Sequence, residues 1–298
     1  MKTCEGRIQK TEFIEQTETD SFFQTTAMQR KETQNPAGIL VGTSGYAYSE
    51  WVDAGFYPPG TGSDRMLAHY ARIFPVTEIN YTWYQMPKAP AIDRMRRKAP
   101  EGFRFAAKLT RSLTHEMDAN GWPAQAVLYR EGIAPLVQSG QLLAVLVQLP
   151  PFFRRNPENR SYLSRLLDAL SGLPLVVEFR HASWAIDRVF AALEARRVTL
   201  ACVDGPELKD LFPPLAVVTN PDLFYIRFHG RNAAGWRSGS MQKQFDYDYS
   251  DDELAQWSRS RIPEMTRQAD TGIIFFNNHV RGQAPKNARM LMEQLTEN

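Results

Sequence analysis

Eight short apolar runs constrain the fold of this chain more than any other feature of its sequence. From Gly38 onward they recur at intervals of roughly 20 to 40 residues, separated by amphipathic sequence with Pro and Gly punctuation. Strand followed by helix, repeated, favours parallel pairing, and eight parallel strands close a barrel. The predicted strands are Ile39–Gly42, Val76–Asn80, Phe103–Lys108, Leu143–Gln148, Leu175–Phe179, Thr199–Asp204, Phe224–Phe228 and Gly272–Asn277.

The segments between these runs complete the predicted architecture. Apolar residues recur at three- and four-residue spacing in Ser63–Phe74, Asn159–Ser171, Ser183–Arg196 and Asp251–Arg267, which predicts helices. Residues 1–36 are instead rich in Thr, Glu, Gln and Lys, a composition that cannot offset its ordering entropy by burial. We therefore predict an α/β protein: a flexible N-terminal tail over residues 1–36 and one TIM-like (β/α)8 barrel domain over residues 37–298.

Composition narrows the cellular setting and the partners. The 35 basic and 33 acidic side chains leave a net charge of +2, so the chain lacks the global field of a protein that covers nucleic acid by charge alone. Two cysteines do not form a disulfide framework, and no apolar run reaches the ~18 residues of a membrane helix. These features predict a cytoplasmic protein without a membrane partner. They set no oligomeric state.

Polar side chains collect where the predicted strands end. The carboxyl ends of barrel strands form the mouth at which barrel enzymes keep their chemistry, so we expect these side chains to bind a ligand there. Buried ion pairs that hold the top of the barrel together are the alternative. The predicted ligand-binding residues are Ser44, Tyr46, Glu78, Asn80, Lys108, His115, Gln148, Arg180, His181, Arg227, Arg231 and Asn277.

The seventh run shows the alternation that such a mouth requires. Tyr225, Arg227, His229 and Arg231 have even spacing and should share the side that faces the lumen, whereas Ile226 and Phe228 should face the helices. The first run ends in Gly42-Thr43-Ser44-Gly45, a glycine-rich turn whose backbone amides could approach an anion or could simply close a tight strand-to-loop turn.

Three residues are predicted to be catalytic. Glu178 lies in the sequence Glu-Phe-Arg-His, next to a guanidinium and an imidazole, and His229 ends the seventh run; an imidazole titrates near neutral pH and can move protons. Asp204 ends the sixth run. Aromatic residues in the loops after the strands could stack on a sugar or a base, or could pack the loops: Tyr46, Tyr48, Trp51, Tyr57, Tyr81, Trp83, Tyr84, Trp184 and Trp236.

No cofactor is predicted, but a divalent metal is an alternative. Glu178, Asp204, His229 and His279 are side chains of the kind that hard divalent ions favour, and they follow strands five to eight. Arg180 and Arg227 share these strand ends and would oppose a dication. Glycine patterns for dinucleotides or for ATP phosphates are absent from the sequence.

The motifs together resemble one family, the YecE-like family called domain of unknown function 72. The resemblance covers residues 38–295 and implies a TIM-like barrel without assigning an activity. Such a barrel looks like those of sugar isomerases and endonuclease IV, but Gln148 and Arg227 stand where a metal shell would want carboxylates or imidazoles. The resemblance depends on Gly42-Thr-Ser-Gly-Tyr-x-Tyr-x-x-Trp51, Phe56-Tyr-Pro58, Glu78-Ile-Asn80, Phe103-x-Phe-x-x-Lys108, Thr114-His115, Gln148-Leu-Pro-Pro151, Glu178-Phe-Arg-His181-x-Ser-Trp184, Arg227-Phe-His-Gly-Arg231 and Asn277-Asn278.

Three functions follow from these features. The first is an enzyme, a hydrolase or an isomerase, that holds a sugar phosphate or nucleotide-like anion with Lys108, Arg180, Arg227 and Arg231, while Glu178 and His229 move protons. A second is a metal-assisted phosphodiesterase on nucleic acid. The third is a non-catalytic module that binds nucleic acid or another ligand.

Overall fold

The structure is a computed structural model, and it describes residues 38–118 and 120–297. The eight strands form a closed barrel in chain order, and every neighbouring pair is parallel. The predicted TIM-like (β/α)8 fold is thereby confirmed, and each strand begins and ends within two residues of its predicted limits. The strands are β1 Gly38–Ser44, β2 Val76–Ile79, β3 Arg104–Lys108, β4 Leu142–Gln148, β5 Leu175–Glu178, β6 Thr199–Asp204, β7 Leu223–Phe228 and β8 Thr271–Phe276. The predicted tail, residues 1–36, lies outside the described residues.

Helices connect the strands on the outside of the barrel, and short helices occupy several loops. The α-helices are α1 Glu50–Asp53, α2 Ser63–Tyr70, α3 Tyr81–Tyr84, α4 Ala89–Arg96, α5 Arg111–Thr114, α6 Trp122–Gln138, α7 Pro157–Ala169, α8 Asp187–Glu194, α9 Ala233–Arg237, α10 Met241–Gln244, α11 Asp251–Gln256, α12 Ile262–Thr266 and α13 Gln283–Glu297. Two 3₁₀ turns, Ala182–Trp184 and Val280–Gly282, follow β5 and β8.

The predicted helix over residues 251–267 contains an interruption. It begins at a capping box in which Ser250 and Glu253 bond reciprocally, and it passes through a π-helical turn, Trp257–Arg261, before α12. Pro263 has no N–H for the helical ladder, which accounts for a widened turn just before it. The widened turn lies where Trp257 is buried against the barrel.

Side-chain alternation divides the core into two layers. Inside the barrel lie Val76, Ala106, Ala144, Leu146, Val176, Ala201, Leu223, Tyr225, Ile273 and Phe275. Side chains one position along each strand, such as Ile226 and Phe228, pack outward against the helices. Small alanines on β3, β4 and β6 leave room for the aromatic rings of β7 and β8 in the lumen. Apolar side chains therefore fill the interior of the barrel. Polar side chains that lie beyond them, toward the carboxyl ends of the strands, form the mouth.

Gly42 explains how a short first run forms a full barrel strand. A Cβ at this position would lie 2.1 Å from the Val76 carbonyl oxygen on β2. The Tyr70 hydroxyl fills the remaining space, donating to that carbonyl at 3.0 Å and accepting from the Thr43 amide at 2.7 Å. Only glycine permits this approach of β1 to β2.

Within the described residues, no helix is both long enough and apolar enough to cross a membrane.

Candidate functional site

Arg227 is the centre of a buried ion network at the top of the lumen. One guanidinium nitrogen, Nη1, donates to Glu178 Oε2 at 2.6 Å, and the other, Nη2, donates to Glu78 Oε1 at 2.7 Å. Nη2 also donates to Ser44 Oγ at 3.2 Å, and the Tyr225 hydroxyl donates to Glu78 Oε2 at 2.7 Å. The network joins strands β1, β2, β5 and β7 across the barrel, so part of it is the structural ion pairing that the sequence left as an alternative.

Arg180 and His229 extend this network toward the opening. Arg180 pairs through Nε with Glu178 Oε1, and its Nη2 lies 3.1 Å from His229 Nε2. A guanidinium can only donate, so Nε2 accepts and the ring proton belongs on Nδ1. Asn277 Nδ2 lies 3.0 Å from His229 Nδ1. Because Nδ1 carries the ring proton, we assign the amide in the reversed orientation, in which its oxygen accepts from Nδ1.

Electrostatics fix the charges of these groups. Burial alone would raise the pKa of Glu178, but Arg180 and Arg227 outweigh it and hold the pKa well below its usual range. Burial, aided by Arg180, lowers the pKa of His229 to about 3, so the imidazole is neutral. Two carboxylates and two guanidiniums therefore balance one another in the interior.

A cavity of about 440 Å³ opens above the network, within the size range of small-molecule sites. It reaches Arg180 and Asn277, whereas Glu178, Arg227 and His229 lie beneath its surface. Its lining includes basic and amide side chains, and no carboxylate of the described part of the chain lines it. The lining residues are Tyr48, Asn80, Trp83, Tyr84, Lys108, His115, Gln148, Pro151, Arg180, Leu208, Leu211, Trp236, Met241, Gln244, Phe245, Asn277 and His279.

Lys108 is a cation of the cavity lining that differs from Arg180. Arg180 pairs with Glu178, whereas no carboxylate of the described residues forms an ion pair with Lys108. Its Nζ lies 5.0 Å from the centroid of the Trp83 ring and has no hydrogen bond or ion pair to any residue in 38–118 or 120–297. Burial and the nearby Arg227 lower the pKa of Lys108 to about 7, although Glu78 and Glu178 act in the opposite direction. Its ammonium group therefore titrates in the physiological range.

His115 lies beside Lys108 and completes the basic side of the cavity. Its Nδ1 accepts from the Trp83 indole N–H at 3.3 Å. Burial, with the charges of Lys108 and Arg180, lowers the pKa of His115 to about 4. The imidazole is neutral at pH 7, and because Nδ1 accepts from the indole, its ring proton lies on Nε2.

Aromatic rings form the walls. Trp236 lies over the Arg180 guanidinium, 5.1 Å from ring centroid to Cζ, and Tyr48 stacks on His279 with centroids 4.8 Å apart. Other aromatic residues that the sequence offered as stacking platforms, Trp51, Tyr57 and Trp184, are buried in the core instead. Trp83, Tyr84 and Trp236 line the cavity.

The structure brings nine of the twelve predicted binding residues together and separates the other three. Ser44, Glu78, Asn80, Lys108, His115, Gln148, Arg180, Arg227 and Asn277 lie in the network or line the cavity. Tyr46 packs against the outer core, where its carbonyl accepts from the Tyr57 hydroxyl. His181 accepts from the Ser183 amide at 3.1 Å and caps the turn that follows.

Arg231 is the third, and it pairs outside the lumen with Asp204, which was predicted to be catalytic. Asp204 accepts from Arg231 Nη2 at 2.7 Å, from the Tyr249 hydroxyl at 2.8 Å and from the Trp257 indole at 2.8 Å. The predicted alternation of β7 fails at Arg231 because Gly230, with φ +88°, turns the chain after His229. The structure therefore places Asp204 apart from Glu178 and His229, the residues with which it was grouped.

Two backbone amides of the turn after β1 donate hydrogen bonds to other parts of the fold. The Thr43 amide bonds to Tyr70, and the Gly45 amide donates to the Glu78 carbonyl at 2.8 Å. Gly45 has φ +86°, as a tight strand-to-loop turn requires. Of the two interpretations of this motif, the structure favours the turn.

The four residues named as a metal set do not converge. Asp204 faces the outer layer, His279 lies 3.2 Å from Glu50, and Glu178 and His229 meet only among arginines. Across residues 38–118 and 120–297, no group of three or more His, Cys, Asp or Glu side chains is arranged to hold a metal ion. The donor set predicted for a divalent ion is thus not assembled.

Sequence reasoning missed the side of the cavity that comes from two long loops. Leu208 and Leu211 follow β6, and Met241, Gln244 and Phe245 follow β7. These residues carry no motif of their own, and the segments are short helices and turns. Periodicity could not have found them, because only the folded loops bring them over the barrel axis.

Comparisons with known proteins place this architecture among proteins of one kind. The model of the family described as "Protein of unknown function DUF72" matches residues 40–298. UPF0759 protein YunF of Bacillus subtilis is 26% identical over 271 residues, which cover 86% of this chain and 94% of that protein. UPF0759 protein YecE of Escherichia coli K12 is 26% identical over 282 residues, with coverages of 86% and 92%. A crystal structure of a DUF72 family protein from Thermotoga maritima is 32% identical, with a TM-score of 0.80 and coverages of 87% and 99%.

Proposed function

The chain belongs to the family described as protein of unknown function DUF72, and from this premise and the site we propose that it is an enzyme that binds a small anionic molecule at the barrel mouth and acts on it by general acid/base catalysis. Membership confirms the resemblance that the motifs predict. A phosphorylated sugar or a nucleotide-like molecule is the proposed substrate, and hydrolysis or isomerisation is the proposed reaction.

The observation that carries this proposal is the charge of the cavity lining. Lys108 and Arg180 contribute positive charge, and none of the described side chains that line the cavity is acidic. Beneath the surface, Glu78 and Glu178 are matched by Arg227 and Arg180, so protonated Lys108 is the charge left for a ligand. Amide groups of Asn80, Gln148 and Asn277 supply neutral hydrogen-bonding groups around it.

The same geometry reassigns the roles that were expected of individual residues. Glu178 and His229 hold Arg180 from below and do not reach the cavity surface, so in this proposal they are positioning residues. Lys108 lines the cavity and, with a pKa of about 7, is the group suited to exchange protons at neutral pH. Neutral His115, whose ring proton lies on Nε2, adds a hydrogen-bond donor on that side.

Calorimetric titration of the full chain tests the proposal. We expect saturable binding of a pentose 5-phosphate and of a nucleoside monophosphate, and binding at least about tenfold weaker for the uncharged pentose and nucleoside, since ~1.4 kcal/mol is tenfold. Lys108→Met should weaken binding of both anions. Lys98→Met, which changes an exposed lysine, is the matched control. Anions that bind no better than their uncharged analogues would contradict the proposal.

A second candidate function, non-catalytic binding of single-stranded nucleic acid, is favoured by the rim of the cavity. Tyr84 and Phe152 are 60% and 64% exposed beside the opening, and bases stack on such rings. If this is the function, Tyr84→Ala and Phe152→Ala should each weaken binding of a short oligonucleotide. Phe152→Ala, which changes a residue that does not line the cavity, should leave affinity for a mononucleotide unchanged. Leu128→Ala, at an exposed apolar residue of α6, is the control.

A further inference from the structure

The ammonium group of Lys108 lies in an unusual environment for a lysine at a strand end. The side chain sits in the cavity lining against the face of Trp83, and within the described chain no carboxylate lies within ion-pair distance of its Nζ. Charged groups approach from three other strands: Glu78 on β2, Arg227 on β7, and Glu178 and Arg180 at the end of β5. His115 lies on the loop that follows Lys108, and the charge of Lys108 lowers the pKa of its imidazole.

This environment favours a neutral amine with a free lone pair. A lysine that is desolvated and placed beside another cation loses its proton more readily and becomes a nucleophile toward carbonyl groups. Consistent with this, burial and Arg227 bring the pKa of Lys108 to about 7, so a large fraction of the amine is neutral at physiological pH. A lysine whose only task was to hold an anion would be better served by a full charge.

We infer that Lys108 is a nucleophile that condenses with an aldehyde or ketone group of the substrate to form an imine. The inference rests on the proposed function, and it narrows the substrate to an anion that also carries a carbonyl, such as an oxo acid or a phosphorylated keto sugar. Arg180 and the lining amides would hold the anionic end, leaving the carbonyl toward Lys108.

The bonds of this step balance without an oxidant or a reductant. The Nζ lone pair forms a bond to the carbonyl carbon, and the carbonyl π electrons move to the oxygen, which takes a proton to give a carbinolamine. The nitrogen lone pair then expels that oxygen as water, after a second proton has reached it, and a protonated imine remains. Of the two protons delivered to the oxygen, one comes from the amine nitrogen and one is taken up from solvent.

The carboxylates beneath the cavity suit the product of this step. The protonated imine carries a positive charge where Lys108 was neutral, and Glu78 and Glu178 are the groups that favour positive charge on its nitrogen. The aromatic face of Trp83 also favours a cation at this position. Transfer of a proton from the carbon next to the imine to solvent would connect this step to isomerisation.

Reductive trapping tests the inference on the full-length protein. The protein is incubated with pyruvate, which carries both a carboxylate and a ketone, and with sodium cyanoborohydride, which reduces an imine in preference to the free ketone. Intact mass and peptide mapping then locate the adduct. We expect one adduct per chain, on Lys108, formed at least about tenfold faster than on the exposed Lys88 or Lys98, and slowed by inorganic phosphate.

Two variants separate imine formation from charge. Lys108→Arg keeps a cation, so it should still bind phosphate but form no adduct at this position, whereas Lys98→Met should be trapped like the parent protein. An adduct on Lys108 that forms no faster than on Lys98 would overturn the inference even if the anion titrations succeed. Absence of anion binding would instead overturn the proposed function. Peptide mapping of the unsubstituted protein decides the matter should either variant fail to fold.

Discussion

Arg227 shows at the residue scale how a barrel lumen can hold two buried carboxylates. An ion pair taken out of water gains from attraction only when the remaining hydrogen-bonding positions are also filled. Glu78 and Glu178 each receive one guanidinium nitrogen of Arg227, and Tyr225, Ser44 and Arg180 fill further positions. The network thereby presents Arg180 at the cavity surface in a fixed orientation.

His229 should give the network a measurable acid sensitivity. Its pKa of about 3 in the folded protein lies below the ordinary value of 6.5, so only the unfolded chain takes up this proton as the pH falls from 6.5. Stability is thus present above pH 6.5 and is lost toward pH 3, by up to about 1.4 kcal/mol per pH unit. Urea unfolding between pH 6.5 and 5 should show this slope, to which His115 also contributes.

His229→Gln isolates the contribution of that residue. The glutamine amide does not titrate, so the pH dependence of the unfolding free energy between pH 6.5 and 5 should become shallower than in the parent protein. An unchanged slope would show that the imidazole does not remain neutral in the fold.

Lys108 should make anion affinity depend on pH above pH 7, whereas His229 affects stability below pH 6.5. Its amine is protonated below pH 7 and loses its charge above, so affinity should be constant in acid and fall by up to about tenfold per pH unit above pH 7. Sulfate is a suitable ligand because it does not itself titrate there. Titrations from pH 6 to 9 measure the effect, and Lys108→Arg should keep the affinity constant. A profile that is flat in the parent protein would contradict the assignment.

At the scale of single elements, β7 shows how a strand determines which of its side chains enter the lumen beneath the site. Alternation directs Tyr225, Arg227 and His229 into the lumen, and the turn at Gly230 then directs Arg231 to Asp204 in the outer layer. A Cβ on Gly230 would lie 2.5 Å from the Cβ of Tyr247, so glycine is required there for space as well as for its positive φ. One residue thus ends the functional face of the strand.

Asp204 joins β6 to the segment that follows α11, and its loss should affect stability rather than binding. Asp204→Ala leaves the Arg231 guanidinium and the buried Tyr249 and Trp257 donors without their acceptor, at a cost of about 3 kcal/mol in unfolding free energy. Below the melting temperature, affinity for a nucleoside monophosphate should change less than about twofold, since that is ~0.4 kcal/mol.

A surface pair provides the control for this prediction. Asp222 pairs with Arg197 where both side chains are more than half exposed, so Asp222→Ala should cost less than about 1 kcal/mol. Loss of anion binding in a folded Asp204→Ala protein would contradict this prediction and would show that Asp204 contributes to ligand binding.

Over the whole molecule, the near cancellation of charge limits which ligands the chain can hold. A net charge of +2 gives the chain no global positive field, and the positive charge of the site comes from Lys108 and Arg180 in the cavity lining. Affinity for a nucleoside monophosphate should therefore fall less than about tenfold between 50 and 200 mM salt, whereas 6 to 10 phosphate contacts on DNA would cost about 10³ to 10⁵. A steep salt dependence with an oligonucleotide would favour the nucleic-acid function instead.

The sequence by itself determined the barrel, because the alternation of apolar runs and amphipathic segments depends on local periodicity and on burial of both sheet faces. It also determined that ionisable groups meet at one end, since parallel strands share their carboxyl ends. Only the tertiary structure decided what those groups do. Glu178 and His229 are equivalent to Lys108 in a linear reading, yet packing and Coulomb interactions lock the first two beneath the cavity and leave Lys108 exposed to a ligand. Which of these side chains lies beneath the cavity and which lines it depends on distances across the lumen. Those distances join strands that are far apart in the chain, so residue spacing in the sequence does not predict them.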